Sequence, residues 1–151
     1  MDIFQRSIHS NVKKTADGLL VVTSSLLDLE HSFHLELAVR IETKTIESAK
    51  ASMSKSPLTR CLRGVEGIPL LAGLPVDRGI MKELHRRVGG PRGCAHMVEL
   101  LTDAIRLISM ILIGNSVNYW GAVKERNLTE EEIIAEGRET LRNTCLVFAD
   151  E

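Results

Sequence analysis

The residues best placed to do chemistry lie in the stretch Val88-Gly89-Gly90-Pro91-Arg92-Gly93-Cys94-Ala95-His96. Glycine and proline close one helix here and open another. Free backbone N–H groups and the positive end of a helix dipole therefore face whatever occupies the new N-terminus. That residue is Cys94, and such a place favours negative charge. The thiolate is both the nucleophilic and the metal-binding form of cysteine, so the position suits either use. His96 follows two residues on. Inside a regular helix it would face away from Cys94, but a Cys94 that caps the helix in an extended conformation can converge with it. A buried cysteine beside a solvated histidine accounts for the same stretch with no chemistry at all.

Two further cysteines complete the inventory. Cys61 follows Pro57-Leu58-Thr59-Arg60, between the last expected strand and the first helical segment, and Cys145 follows Asn143-Thr144, just past the last expected helix. All three cysteines thus fall at junctions between elements, where side chains can converge. Cys61, Cys94 and Cys145 with His96 make a four-ligand set of the Cys₃His type, suited to zinc or to an iron–sulfur cluster, since both accept thiolate and imidazole. There is no Cys-x-x-Cys pair, so only the fold can bring these residues together.

Other candidates have simpler explanations. His34 alternates with Phe33 and Leu35 and reads as a solvated strand residue. His85 with Arg86 and Arg87 ends a helix, where cations suit the dipole. Glu130-Glu131-Glu132 reads as an acidic first turn. Gly89-Gly90-x-x-Gly93 follows no strand and completes neither a Walker nor a dinucleotide fingerprint, which argues against nucleotide binding.

The elements that must hold these residues are legible from periodicity. Phe4, Ile8 and Val12 alternate with polar neighbours, Asp17-Gly18 supplies a turn, and 19–29 returns as the second strand of a hairpin. After a polar turn around Glu30-His31-Ser32, Phe33, Leu35, Leu37, Val39 and Ile41 have a period of two, the clearest strand. Thr43-Lys44 turns the chain into a fourth strand over 45–53, with Ala49, Ala51 and Met53 on one face. From Pro57 the pattern becomes helical: a short helix or turn over 62–74, a helix over 76–88 stopped by Gly89-Gly90-Pro91, and a long core helix from about Cys94. Its apolar stripe is Met97, Leu100, Leu101, Ala104, Ile105, Ile108 and Ile111, with Glu99, Asp103 and Arg106 opposite. Over 107–113 it turns apolar all round, which implies burial on every side or a subunit contact. Thr129 to Glu132 forms a capping box for a last helix ending near Arg142. Sheet first and helices after defines an α+β fold, here as one domain over 1–151 with a sheet over about 3–54, a helical part over about 58–142 and a looser segment after 115.

Composition narrows the function classes. The 151 residues are 44% hydrophobic and 26% charged, ordinary for a globular protein. A chain of this size buries roughly 70% of its unfolded surface, so it needs no metal merely to hold a core. Nineteen basic against twenty acidic residues, with a net charge of −1, disfavour nucleic-acid binding through phosphates. One Trp, one Tyr and three Phe supply no stacking platform. The opening Met1-Asp2-Ile3-Phe4-Gln5-Arg6 turns polar at once, and no apolar run approaches a membrane span. Three cysteines cannot all pair in one chain, which fits a reducing, cytoplasmic setting.

The order of these features resembles a known family. Asp17-Gly18, Phe33-His34, Ala51-Ser52-Met53, Pro57 before Cys61, Leu71-x-Gly73, Gly79, Gly89-Gly90-x-x-Gly93-Cys94-x-His96 and Asn143-Thr144-Cys145 are together similar to the bacterial family called domain of unknown function 2889. The resemblance spans nearly the whole chain, its most specific part is Gly-Cys-x-His, and it implies no particular activity. A looser architectural similarity, a meander followed by helices with Gly-Cys at a helix start, is to the IscU-type iron–sulfur scaffold proteins; it is an analogy of arrangement.

Three functions are then expected. The leading one is a small cytoplasmic metal- or iron–sulfur-binding protein, a carrier, scaffold or accessory factor, with Cys61, Cys94, His96 and Cys145 as ligands. The second is a thiol-dependent enzyme with Cys94 as nucleophile and His96 or His34 as base, for which no orienting acid is evident. The third is a non-catalytic interaction module that forms a homodimer, or docks a partner protein, through 107–113. Neither nucleic acid nor membrane is an expected partner.

Overall fold

The computed structural model describes residues 1, 3–116 and 128–150. They divide into two compact units, Met1–Ile108 and Ser109–Glu151. The looser connection expected after 115 falls largely on 117–127, outside the described residues.

The first unit opens with the expected meander. Strands β1 (Arg6–Lys14), β2 (Leu19–Asp28), β3 (Ser32–Arg40) and β4 (Thr45–Lys55) form one antiparallel sheet in sequential order. Alternation decides which face is covered. Leu20, Val22, Ser24, Leu26 and Asp28 of β2 are buried on one face, opposite Val39, Leu37, Leu35 and Phe33 of β3. His34 and the exposed Leu27 belong to the other face. On β4 the buried residues are Ile46 and Ala49, three apart, which a strict period of two forbids. A register shift between Ala38 and Val39 of β3 accounts for it: Ala38 pairs with Ser48 and Val39 with Ile46, leaving Glu47 as the extra residue of a bulge.

Helices cover the inner face. Two 3₁₀ turns, Thr59–Val65 and Ile68–Leu71, occupy the region where a short helix or turn was expected over 62–74. Helix α1 spans Ile80–Val88, starting four residues later than its periodicity suggests. Val76 is held elsewhere: its N–H donates to Lys44 O at 2.7 Å, and the adjacent Pro75 bridges Thr45 beside β4. Helix α2 spans Ala95–Ser116. Met97, Leu100, Leu101, Ala104, Ile105 and Ile108 of its expected stripe are buried, whereas Ile111 is only half-buried. Each fully buried aliphatic side chain of this kind contributes about 1.5–3 kcal/mol. Glu99 and Asp103 on the opposite face are not simply solvated. Glu99 accepts a hydrogen bond from Arg6 at 2.9 Å and Asp103 one from Ser10, so α2 is tied to β1 by polar pairs as well as by its apolar stripe.

In the second unit, helix α3 (Glu130–Leu141) starts at the expected capping box. Thr129 N–H donates to Glu132 at 2.7 Å and Glu132 N–H to the Thr129 hydroxyl at 3.3 Å. Gly137 of α3 packs against Phe148 of the 3₁₀ turn Leu146–Phe148, and Arg142 pairs with Asp150 at 2.9 Å. Among the described residues no helix is long and apolar enough to cross a membrane.

Candidate functional site

Cys94 is fixed by its backbone on both sides. Its N–H donates to Val88 O at 3.0 Å, and its carbonyl accepts the first helical bond of α2 from Val98 N at 3.1 Å, which makes it the N-cap. The loop before it can close this tightly only around glycine: a Cβ on Gly93 would lie 2.0 Å from Val88 O. The Cys94 side chain then rests on another glycine. A Cβ on Gly64 would lie 2.7 Å from Cys94 Cβ and 3.6 Å from its sulfur.

Gly64 belongs to the 3₁₀ turn Thr59–Val65, which also carries Cys61. Residues three apart in a 3₁₀ helix lie on the same side. Cys61 therefore shares the side of the turn that meets Cys94, and both thiols are half-buried and free.

His96, one step into α2, faces a different neighbour. Its ring lies against His31, with centroids 4.1 Å apart and planes at 42°, and 6.1 Å from the Phe33 ring. His31 sits at the end of the tight turn between β2 and β3, one period before Phe33 and Leu35, and so turns inward with them. Its Nδ1 lies 3.0 Å from Asp28 Oδ1.

Asp28 organises this end of the site. Its carboxylate is fully buried and accepts from Glu30 N–H at 2.9 Å and His31 N–H at 2.8 Å, closing the turn as Asp side chains do. Its other oxygen accepts from Arg6 Nε at 2.9 Å and Nη2 at 2.8 Å. Burial pushes the Asp28 carboxyl up, but the hydrogen bonds from Glu30, Arg6 and His31 outweigh it and hold the group far below the usual carboxylate range. An ionised carboxylate only accepts, so His31 Nδ1 carries the proton between them. For His96, burial is the largest influence and lowers its pKa; His31 and Arg6 lower it further, against a partial pull upward from Asp28 and Glu99. These influences together favour the neutral imidazole, the form that binds metal or accepts a proton.

Of the expected set, the fold packs the 3₁₀ turn that carries Cys61 against Cys94 through Gly64 and sets the His96 ring against His31. Cys145 lies in the second unit, exposed, as the N-cap of the turn Leu146–Phe148. As the side chains stand, no group of three or more His, Cys, Asp or Glu among the described residues is spaced to hold a metal ion. His34, considered above as a base, is exposed on the face of the sheet opposite to Phe33 and away from this corner. His85, Arg86 and Arg87 end α1 as expected, with both arginines paired to Glu83. Sequence reasoning passed over Asp28 and His31. The signal was Asp-x-x-His across a turn whose histidine keeps the inward period of Phe33 and Leu35.

These features define an α+β domain in which a four-stranded meander and a long helix hold cysteine and histidine at the helix start. Over residues 28–108 the sequence matches the family described as "Protein of unknown function (DUF2889)", and the chain belongs to that family. The match contains Asp28, His31, Cys61, Cys94 and His96, and it leaves out Asp17-Gly18 and Asn143-Thr144-Cys145, to which the resemblance had extended. No curated protein and no solved structure matches the chain, and the likeness to IscU-type scaffolds has no support.

Proposed function

We propose that the chain binds a metal ion or an iron–sulfur cluster through cysteine thiolates and histidine, and serves in a reducing, cytoplasmic setting as a carrier, scaffold or accessory factor. The observation that supports this reading is the packing of Cys94 on Gly64, in the same 3₁₀ turn as Cys61, with His96 two residues further on. Zinc and iron both suit thiolate with imidazole. The test is metal analysis and an absorbance spectrum of protein purified without oxygen. Zinc in stoichiometric amount, or visible thiolate-to-iron bands, supports the reading; colourless, metal-free protein that takes up neither metal contradicts it.

One observation favours a second reading, a thiol-dependent enzyme with Cys94 as nucleophile. A carboxylate strengthens such a site by orienting the base, and Asp28 holds His31, whose ring lies against that of His96, the expected base. Self-association belongs to the main proposal as well. Ile108 and Leu112 are buried, but Met110, about 200° around the helix from both by α-helical geometry, is 51% exposed. That leaves an apolar face for a second copy.

A further inference from the structure

The structure assigns the outer edge of β1 as a docking site for an extended segment of a partner protein, one that alternates acidic with apolar residues and joins the sheet as a further strand. This goes beyond the metal-binding reading and holds with or without a bound metal.

The backbone makes the first argument. Thr15 N–H donates to Leu19 O at 2.9 Å at the hairpin end, and facing residues of an antiparallel pair alternate between those that exchange backbone bonds and those that do not. Ser7, His9, Asn11 and Lys13 are therefore the residues of β1 bonded to β2. The N–H and C=O groups of Arg6, Ile8, Ser10, Val12 and Lys14 point outward, and among the described residues no backbone group meets them. An open edge of this kind templates the addition of another strand, and folds blunt it with a bulge, a proline or a covering loop. The opposite edge is blunted. β4 faces the bulge at Glu47, and its first residues are covered by 73–76: Ile46 N–H donates to Leu74 O at 2.9 Å and Gly73 N–H to Ile46 O at 2.8 Å. β1 has none of these devices. Its nine residues hold one register against β2 from Arg6 to Lys14, with no proline and no shift.

The side chains say what the edge would accept. Ile8 and Val12 share the inner face with their partners Leu26 and Val22. Leu26 and Val22 are fully buried, whereas Ile8 is 37% exposed and Val12 is half-buried. The apolar layer thus stops short at β1, and apolar side chains of an added strand would extend it. Charge selects the alternate positions. β1 carries Arg6, His9, Lys13 and Lys14 and no acidic residue. Arg6 is met by Asp28 and Glu99, but Lys13 and Lys14 are exposed, one on each face of the strand, with no ion pair among the described residues. Acidic residues of an added strand would pair with them across the edge. A second copy of β1 fits less well: with all nine residues paired antiparallel, Arg6 stands opposite Lys14, and like charges directly opposite destabilise a sheet. Strand addition of this kind takes its affinity from the main chain and its specificity from alternate side chains.

The experiment titrates the ¹⁵N-labelled full-length chain with a capped peptide of about nine residues, alternating valine and glutamate, and with its valine and lysine counterpart, following backbone amide signals. The glutamate peptide is expected to shift the signals of β1 and to slow amide exchange at Arg6, Ile8, Ser10, Val12 and Lys14, with binding that weakens as salt is added. The lysine peptide is expected to leave them unchanged. Ile8→Pro removes one outward N–H while the ladder to β2 stays intact, and is expected to weaken binding about five- to tenfold. Lys13→Glu combined with Lys14→Glu, both at exposed positions, is expected to reverse the preference between the two peptides. No response of the β1 amides to the glutamate peptide, or equal binding of both peptides by the wild type, overturns the proposal. So does light scattering in which the full chain alone is a dimer and Ile8→Pro a monomer, since the occupant of the edge would then be a second copy.

Discussion

His31 Nδ1 and Asp28 Oδ1 stand 3.0 Å apart across a two-residue turn, and the same carboxylate oxygen accepts the His31 backbone N–H at 2.8 Å. One side chain therefore closes the β2–β3 hairpin and aims an imidazole at the start of α2. Structure and site depend on the same group.

The first prediction follows from that dependence. Asp28→Asn keeps the shape but loses the charge-assisted bonds to Arg6 and His31, and is expected to cost about 2 kcal/mol in urea unfolding. The pH profile has a definite sign. A carboxyl whose pKa is lower folded than unfolded stabilises the fold above the ordinary carboxylate pKa of about 4, and that contribution is lost as the pH falls through the folded value. Wild-type stability should therefore decline on acidification below about pH 4, with a shallower decline in Asp28→Asn. Parallel pH profiles for the two proteins would contradict the role given to Asp28.

Gly64 is expected to tolerate no side chain. Its Cβ would meet Cys94 Cβ at 2.7 Å, so either Cys94 or the 3₁₀ turn must shift. Overpacking of this kind costs about 1–3 kcal/mol. Gly64→Ala should lower the thermal midpoint and weaken Zn²⁺ uptake together, and a variant as stable and as competent as the wild type would show that the two segments are not packed as described.

Bound metal should divide the cysteines. With Zn²⁺ present, alkylation read by peptide mass spectrometry is expected to spare Cys61 and Cys94 and to modify Cys145, which is exposed in the second unit. Equal protection of all three would bring Cys145 into the ligand set, and protection of none would count against metal binding through thiolates.

Self-association is tested by light scattering across a dilution series, with Met110→Glu as the probe. The expected wild-type mass is that of a dimer and the expected variant mass that of a monomer, because Met110 is the most exposed side chain of the apolar stretch 107–113. A monomer at every concentration would refute the dimer, and a dimer that survives the substitution would place its interface elsewhere.

Much of the framework was legible because it rests on periodicity. The period of two from Phe33 to Val39, the stripe from Met97 to Ile108 and the capping box at Thr129 each specify an element locally, and each is present. What the pattern could not show depends on register and on long-range pairing. The bulge that buries Ile46 is defined only against β3, and the start of α1 is set by the hold of Lys44 on Val76. Glu99 and Asp103 look solvated until β1 is laid beside them. Within the site, Cys94 and His96 were readable from one glycine-rich stretch. His31 was hidden because Glu30-His31-Ser32 has the composition of a turn, and the approach of the 3₁₀ turn Thr59–Val65 to Cys94 depends on a glycine with no side chain to signal it.

The most direct measurement is X-ray absorption at the metal edge of protein purified without oxygen. The account predicts a first shell holding both sulfur, at about 2.3 Å, and imidazole nitrogen, at about 2.0 Å, in the case of zinc. A shell of oxygen and nitrogen alone, or protein with no bound metal, would contradict it.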